Sequence, residues 1–147
     1  MASEFKIIRR VEFSETDMAG IVHYSNFFKY METAEHAFFR SLGFSIVSRN
    51  IESPVGWPRV HAECDFKKPL YFEDDVEVQL LVSEKRTKSL SYIFRFRRLN
   101  AHPPEEVACG KLTVVCVRRD DEGRMRACDI PRAIAEKIEV ASEAALK

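Results

Sequence analysis

Between Ser25 and Gly43 the apolar residues recur as they would along one face of a helix, and from Val60 onward they recur at every second position. That change of period restricts the possible folds more than any other feature of the chain. Phe27, Met31, Ala34, Phe38 and Leu42 follow one another at spacings of four, three, four and four, drawing a single apolar stripe. Phe28 and Phe39 widen it, while Lys29, Glu32, His36 and Arg40 are polar. Ser25 is placed as the N-cap and Gly43 as the left-handed residue past the C-terminus. So much aromatic bulk on one helix must be buried against something broad, and the rest of the chain offers a sheet.

A connection bearing Pro and Gly, Ser53-Pro54-Val55-Gly56-Trp57-Pro58, separates the two periods. Val60, Ala62, Cys64 and Phe66 then alternate with His61, Glu63, Asp65 and Lys67 until Pro69. Val76, Val78, Leu80 and Val82 repeat the pattern, as do Leu90, Tyr92, Phe94 and Phe96. Ala108, Gly110, Leu112, Val114 and Cys116 share the last such face. Each run predicts a half-buried strand. A less regular alternation over Phe5–Phe13 predicts a first strand, and Pro131 with Ile134, Ile138 and Ala141 predicts a short amphipathic C-terminal helix. Strands that follow one another without helices pair antiparallel. The expected fold is therefore α+β: an antiparallel five-stranded sheet wrapped around one long central helix. With no repeat, low-complexity tract or Gly/Ser linker, residues 1–147 read as a single domain. Open strand edges in such a sheet invite pairing with a second copy, so a dimer is expected.

Lys+Arg and Asp+Glu both number 23, which removes any general attraction to phosphate backbones, and no nucleic-acid partner is expected. No apolar run approaches the roughly 20 residues that span a bilayer, so no membrane role is expected. The opening MASEFKIIRRVEF lacks the apolar core of a secretion signal, and a cytoplasmic location follows as an expectation. Cys64, Cys109, Cys116 and Cys128 form no C-x-x-C pair and read as small buried residues with free thiols. His23, His36, His61 and His102 are scattered, and no metal site is expected.

One segment asks for a chemical explanation: Asp17-Met18-Ala19-Gly20-Ile21-Val22-His23-Tyr24-Ser25, immediately before the helix. It joins a carboxylate, a glycine that lets backbone approach closely, and a helix head with its free N–H donors and positive partial charge. Such donors stabilise an oxyanion, each worth on the order of 10²–10³ in rate. An ionised carboxylate beside them can attack a carbonyl or activate a water.

The run Arg10-Val-Glu-Phe-Ser-Glu-Thr-Asp17-Met-Ala-Gly20-Ile-Val-His23-Tyr24-Ser-Asn-Phe-Phe, continuing to Leu42-Gly43, resembles the 4-hydroxybenzoyl-CoA thioesterase family of hotdog-fold enzymes. Cys64-Asp-Phe-Lys-Lys-Pro-Leu-Tyr-Phe-Glu-Asp-Asp, Lys88-Ser-Leu-Ser-Tyr and Arg124-Met-Arg-Ala-Cys-Asp-Ile-Pro extend the likeness over nearly the whole chain. The resemblance implies a hotdog fold and an acyl-CoA thioesterase that needs no cofactor, coenzyme A being part of the substrate. It implies Asp17 as nucleophile or general base and the Tyr24 backbone N–H as the group polarising the thioester carbonyl. Gly20 keeps the loop tight. His23 stands where relatives carry an aromatic ring, as acyl-pocket wall or second polar group, and so departs from the benzoyl-type pattern. Lys88, Ser89, Arg124 and Arg126 fall at positions of nucleotide and phosphate contacts. Glu32 is a helix-borne rival to Asp17, Glu35 is a second acidic helix residue, and Asn26 is read as a helix cap. Phe27, Met31, Trp57 and Val60 are expected to shape the acyl pocket. Relatives place their active sites at dimer interfaces, and tetramers of such dimers are common. Two alternatives stay open: an acyl-carrier-protein thioesterase docking on Arg95, Arg97 and Arg98, and a non-catalytic module that binds acyl thioesters.

Overall fold

The computed structural model describes residues 1–47 and 54–147, so Ser53 of the expected connection lies outside the described residues. Strand β1 (Glu4–Arg10) leads through a 3₁₀ turn (Phe13–Glu15) to helix α1 (Ser25–Ser41). Strands β2 (Arg59–Phe66), β3 (Asp75–Lys85), β4 (Ser89–Arg98) and β5 (Glu105–Val115) follow, then a small hairpin of β6 (Val117–Arg119) and β7 (Met125–Ala127). The long strands form one antiparallel sheet in the order β1-β3-β4-β5-β2. Helix α1 touches β3 and also both edge strands, β1 and β2. A flat sheet could not bring its two edges to one helix, so the sheet curls around α1, as the hotdog arrangement requires.

The alternation seen in the sequence is the alternation of burial. Val76, Val78, Leu80 and Val82 of β3, and Leu90, Tyr92, Phe94 and Phe96 of β4, are all closed off from solvent against the stripe of α1. Met31 of the helix lies over Gly110 of β5, where a Cβ would stand 2.2 Å from its Cε. With glycine here the Met31 terminus lies directly on the strand, and any larger residue would have to displace it. At the helix end Gly43 takes φ 92°, its N–H bonds to Arg40 O, and the Phe44 N–H reaches back to Phe39 O. These two bonds satisfy carbonyls the helix leaves open and seat the buried Phe44 ring under it.

Four expectations need correction. β1 stops at Arg10, and Phe13 stands exposed in the 3₁₀ turn. Ser25 is the first helical residue, the N-cap position being Tyr24 in helical geometry. The C-terminal helix is two single turns, α2 (Arg132–Ala135) and α3 (Glu143–Leu146). Ile134, Ile138 and Ala141 are nonetheless buried, because the segment between the turns is tied in extended form to Ala2 and Val82. Finally, β2 is exposed along nearly its whole length, being an edge strand bonded on one side only, to β5. A bulge between Arg59 and His61 shifts its register, so Arg59 pairs with Val114 on the helix-facing side and Val60 is turned out, 62% exposed.

Candidate active site

Glu15 fastens the loop that precedes α1. Its Oε1 accepts hydrogen bonds from the Glu12 N–H and the Tyr30 hydroxyl, each 2.8 Å, and its Oε2 lies 3.2 Å from Arg9 Nη2. The Glu15 carbonyl accepts the His23 N–H and Asn26 Nδ2. Asn26 therefore ties loop to helix rather than capping it. The Arg9 guanidinium covers the Tyr30 ring at 4.9 Å. Burial and the Glu15 carboxylate push the Tyr30 hydroxyl far above its usual pKa, so it remains a donor. None of these roles was read from the sequence; the only local sign was the Glu12/Glu15 spacing of a capping box.

Held this way, residues 17–22 make a tight excursion. Thr16 bridges Val22, Asp17 N–H bonds to Ile21 O, and Gly20 closes the turn at φ 80° with its N–H on Asp17 O. Asp17 Oδ1 accepts the Ala19 N–H at 2.9 Å, and its other oxygen bonds to no described residue. Asp17 and Tyr24 line one cavity of about 500 Å³, whose walls are chiefly Val22, Phe27, Phe66 and Leu70. The Tyr24 N–H has no acceptor among the described residues, while the Ser25 N–H is taken by His23 Nδ1 at 3.3 Å. The site thus sets an exposed carboxylate and a free donor at a helix head beside one apolar hollow.

The model of the thioesterase-like superfamily matches residues 11–138. The chain belongs to that superfamily. A solved gentisyl-coenzyme A thioesterase is 33% identical, aligns over 88% of this chain and 98% of its own, and superposes with a TM-score of 0.75. The 4-hydroxybenzoyl-CoA thioesterase of Pseudomonas sp. (strain CBS-3) is 25% identical over 147 residues, 97% of this chain and all of that protein. A 1,4-dihydroxy-2-naphthoyl-CoA hydrolase of Prochlorococcus marinus (strain NATL1A) is 31% identical over 100 residues, 61% of this chain and 65% of that one. The protein is a thioester hydrolase of hotdog fold.

The remaining site residues fall into separate places in this thioesterase. His23 does not line the cavity; its ring stacks on Tyr24 at 4.5 Å and its Nδ1 lies 2.8 Å from Ser25 Oγ. Lys67 and Lys68, not singled out from the sequence, do line it, each paired to a carboxylate of β5 (Glu106 at 3.3 Å, Glu105 at 2.9 Å). Lys88, Ser89, Arg124 and Arg126 sit at the other end of the sheet, where Ser89 pairs with Val115, whereas Phe66 beside the cavity pairs with Ala108. Seven residues of β5 at about 3.4 Å each put those ends roughly 24 Å apart. Lys88 is held by Asp129 at 2.7 Å, and Asp120 gathers Arg124 and Arg126 at 3.3 and 3.2 Å. Glu32 is exposed beside Arg59 and does not reach the cavity. Glu35 is fully buried, its Oε1 on Arg59 Nη2, its Oε2 without a partner among the described residues. Desolvation pushes its pKa up to about 7 against the pull of Arg59.

Among the described residues no cluster of His, Cys, Asp or Glu could hold a metal ion, and no helix is long and apolar enough to cross a membrane.

Proposed function

We propose that the protein hydrolyses an aromatic acyl-CoA thioester to the free acid and coenzyme A, without metal or cofactor. The observation that carries this reading is that Asp17 and Tyr24, the residue at the head of α1 whose N–H has no acceptor among the described residues, line one cavity. A thioester carbonyl oxygen placed on that N–H gains charge as the carbon turns tetrahedral, and the donor together with the helix dipole offsets it. Asp17 delivers the attacking oxygen, its own or that of a water it deprotonates, and the coenzyme A thiolate leaves. Phe27, Phe66 and Tyr24 present ring edges and faces suited to a planar acyl group. His23 stacks on Tyr24 and does not line that space. The three relatives named above are called hydrolases or thioesterases of aromatic acyl-CoA esters, which supports the same class.

The protein works as a dimer joined along β2, and such dimers pair into tetramers. Antiparallel pairing of two β2 edges about a two-fold axis would lay one copy's Lys88, Ser89, Arg124 and Arg126 end beside the other's Asp17 end, where nucleotide phosphates need cations. A carrier-protein substrate is disfavoured because its expected docking cations are engaged. Arg97 bonds Glu77 and Gln79, Arg98 lies 3.1 Å from Asp74, and Arg95 donates to Leu146 O. The free thiols fit the reducing cytoplasm.

The test is thiol release from a panel of aromatic and aliphatic acyl-CoA esters by the unaltered protein and Asp17→Asn. The expected result is preference for aromatic esters, and a fall in kcat of about 10²–10⁴ in the variant with KM little changed. Undiminished turnover by Asp17→Asn removes Asp17 from the chemistry.

A further inference from the structure

We infer that Cys116 and Cys128 are a modification site: a thiol pair that a hydroperoxide converts reversibly into a disulfide, locking the β6–β7 hairpin at its base. The two sulfurs lie 3.6 Å apart. Val117 pairs with Ala127 in the hairpin ladder, so Cys116 and Cys128 face one another on the next rung, and the Cys128 N–H bonds to Cys116 O at 2.9 Å. Opposed residues of an antiparallel pair have Cα atoms about 4.5–5.5 Å apart, inside the window of about 4.4–6.8 Å that a disulfide spans. Small side-chain rotations close the remaining gap. The other two cysteines have no such arrangement: Cys64 stands opposite Gly110 and Cys109 opposite Asp65.

The pair is asymmetric in access. Cys116 is closed off from solvent and Cys128 is half-buried. Burial and the neighbouring Cys128 thiol push Cys116 up to about 12, so it is not the first to react. Lys88 neighbours the pair through its backbone, its carbonyl accepting the Cys116 N–H at 2.7 Å, while Asp129 holds its ammonium at 2.7 Å. Cys128 thiolate attacks the peroxide O–O bond, forming a sulfenic acid and releasing hydroxide. Cys116 sulfur then displaces that hydroxyl as water, its own proton leaving with it. Two thiols are oxidised and one hydroperoxide is reduced. The bond closes a loop that contains the exposed turn from Asp120 to Arg124 and pins the strand carrying Arg126 to the end of β5.

The experiment treats the unaltered protein with stoichiometric hydrogen peroxide, blocks free thiols, and digests with trypsin without reduction. Cleavage after Lys111, Arg118, Arg126 and Arg132 leaves the two cysteines on separate peptides, 112–118 and 127–132, which travel together only if bonded. The expected result is that linked pair, a fall in free thiols from four to two, recovery with dithiothreitol, and slower amide exchange over β7. The pair forms in a Cys64→Ser/Cys109→Ser protein and is lost in Cys128→Ser, whose half-buried position tolerates serine. Four free thiols, a Cys64–Cys109 link, a bond between two chains, or sulfinic Cys128 beside free Cys116 each overturns the proposal. Unchanged exchange over β7 in the bonded form overturns the locking.

Discussion

Glu15 shows how one side chain outside the reacting groups sets their geometry. It receives two donors and an arginine, from the turn, from α1 and from β1. Glu15→Gln keeps acceptors for Tyr30 and the Glu12 N–H but surrenders the charge on Arg9. We expect a loss of about 1–2 kcal/mol in urea unfolding and lower kcat, the loop that carries Asp17 being less firmly placed. Glu35 makes a different prediction, one of sign. Its pKa is about 7 in the folded chain against 4.5 as the ordinary value. Between those values the native state holds a proton that the unfolded chain has released, so stability is greatest below the lower value and declines as pH rises towards 7. The size is on the order of 3 kcal/mol from the shift alone. Urea titrations across that range should show the decline in the unaltered protein and a flatter profile in Glu35→Gln. An unaltered slope would remove Glu35 as its source. Asp17 and Tyr24 were legible in the sequence as near neighbours because they share one short run with a helix start. Glu15, Lys67 and Lys68 were not, because their roles depend on partners distant along the chain.

The elements were legible wherever periodicity and burial coincide. β3, β4 and β5 sit in the middle of the sheet, and their alternating residues face α1 on one side. β2 was misread in two respects, since alternation carries no sign of an exposed edge or of a bulge that turns Val60 outward and Arg59 inward. That single extra residue is what lets Arg59 reach Glu35. Close approach of α1 to β5 carries its own test. Gly110→Ala would place a Cβ against the Met31 terminus, and fully buried Met31 has little room to turn aside. We expect about 1–3 kcal/mol of destabilisation. A Met31→Ala partner should couple with it, the double variant losing less than the sum of the two single losses by denaturant unfolding. Additive losses would show that the two residues do not meet.

At the scale of the whole molecule, the proposed second copy pairs on the exposed β2 edge and bridges the roughly 24 Å separation of the two groups of candidate residues. Val60→Lys puts a charge on that edge without touching the core. Sedimentation should show the unaltered protein as at least a dimer and the variant shifted towards monomer, with kcat/KM falling in step. A monomeric, fully active variant would sever assembly from catalysis. What the sequence by itself determined was local: the period of each element, the helix end at Gly43, and the run from Asp17 to Ser25, all set by steric and hydrophobic rules that act over a few residues. Tertiary structure alone decided which groups meet. It placed Asp17 and Tyr24 along one cavity, sent the phosphate-binding candidates to the far end, buried Glu35 on Arg59 and brought Cys116 to Cys128. Those meetings follow from the curl of the sheet around α1 and from strand register, which depend on how all the faces pack at once.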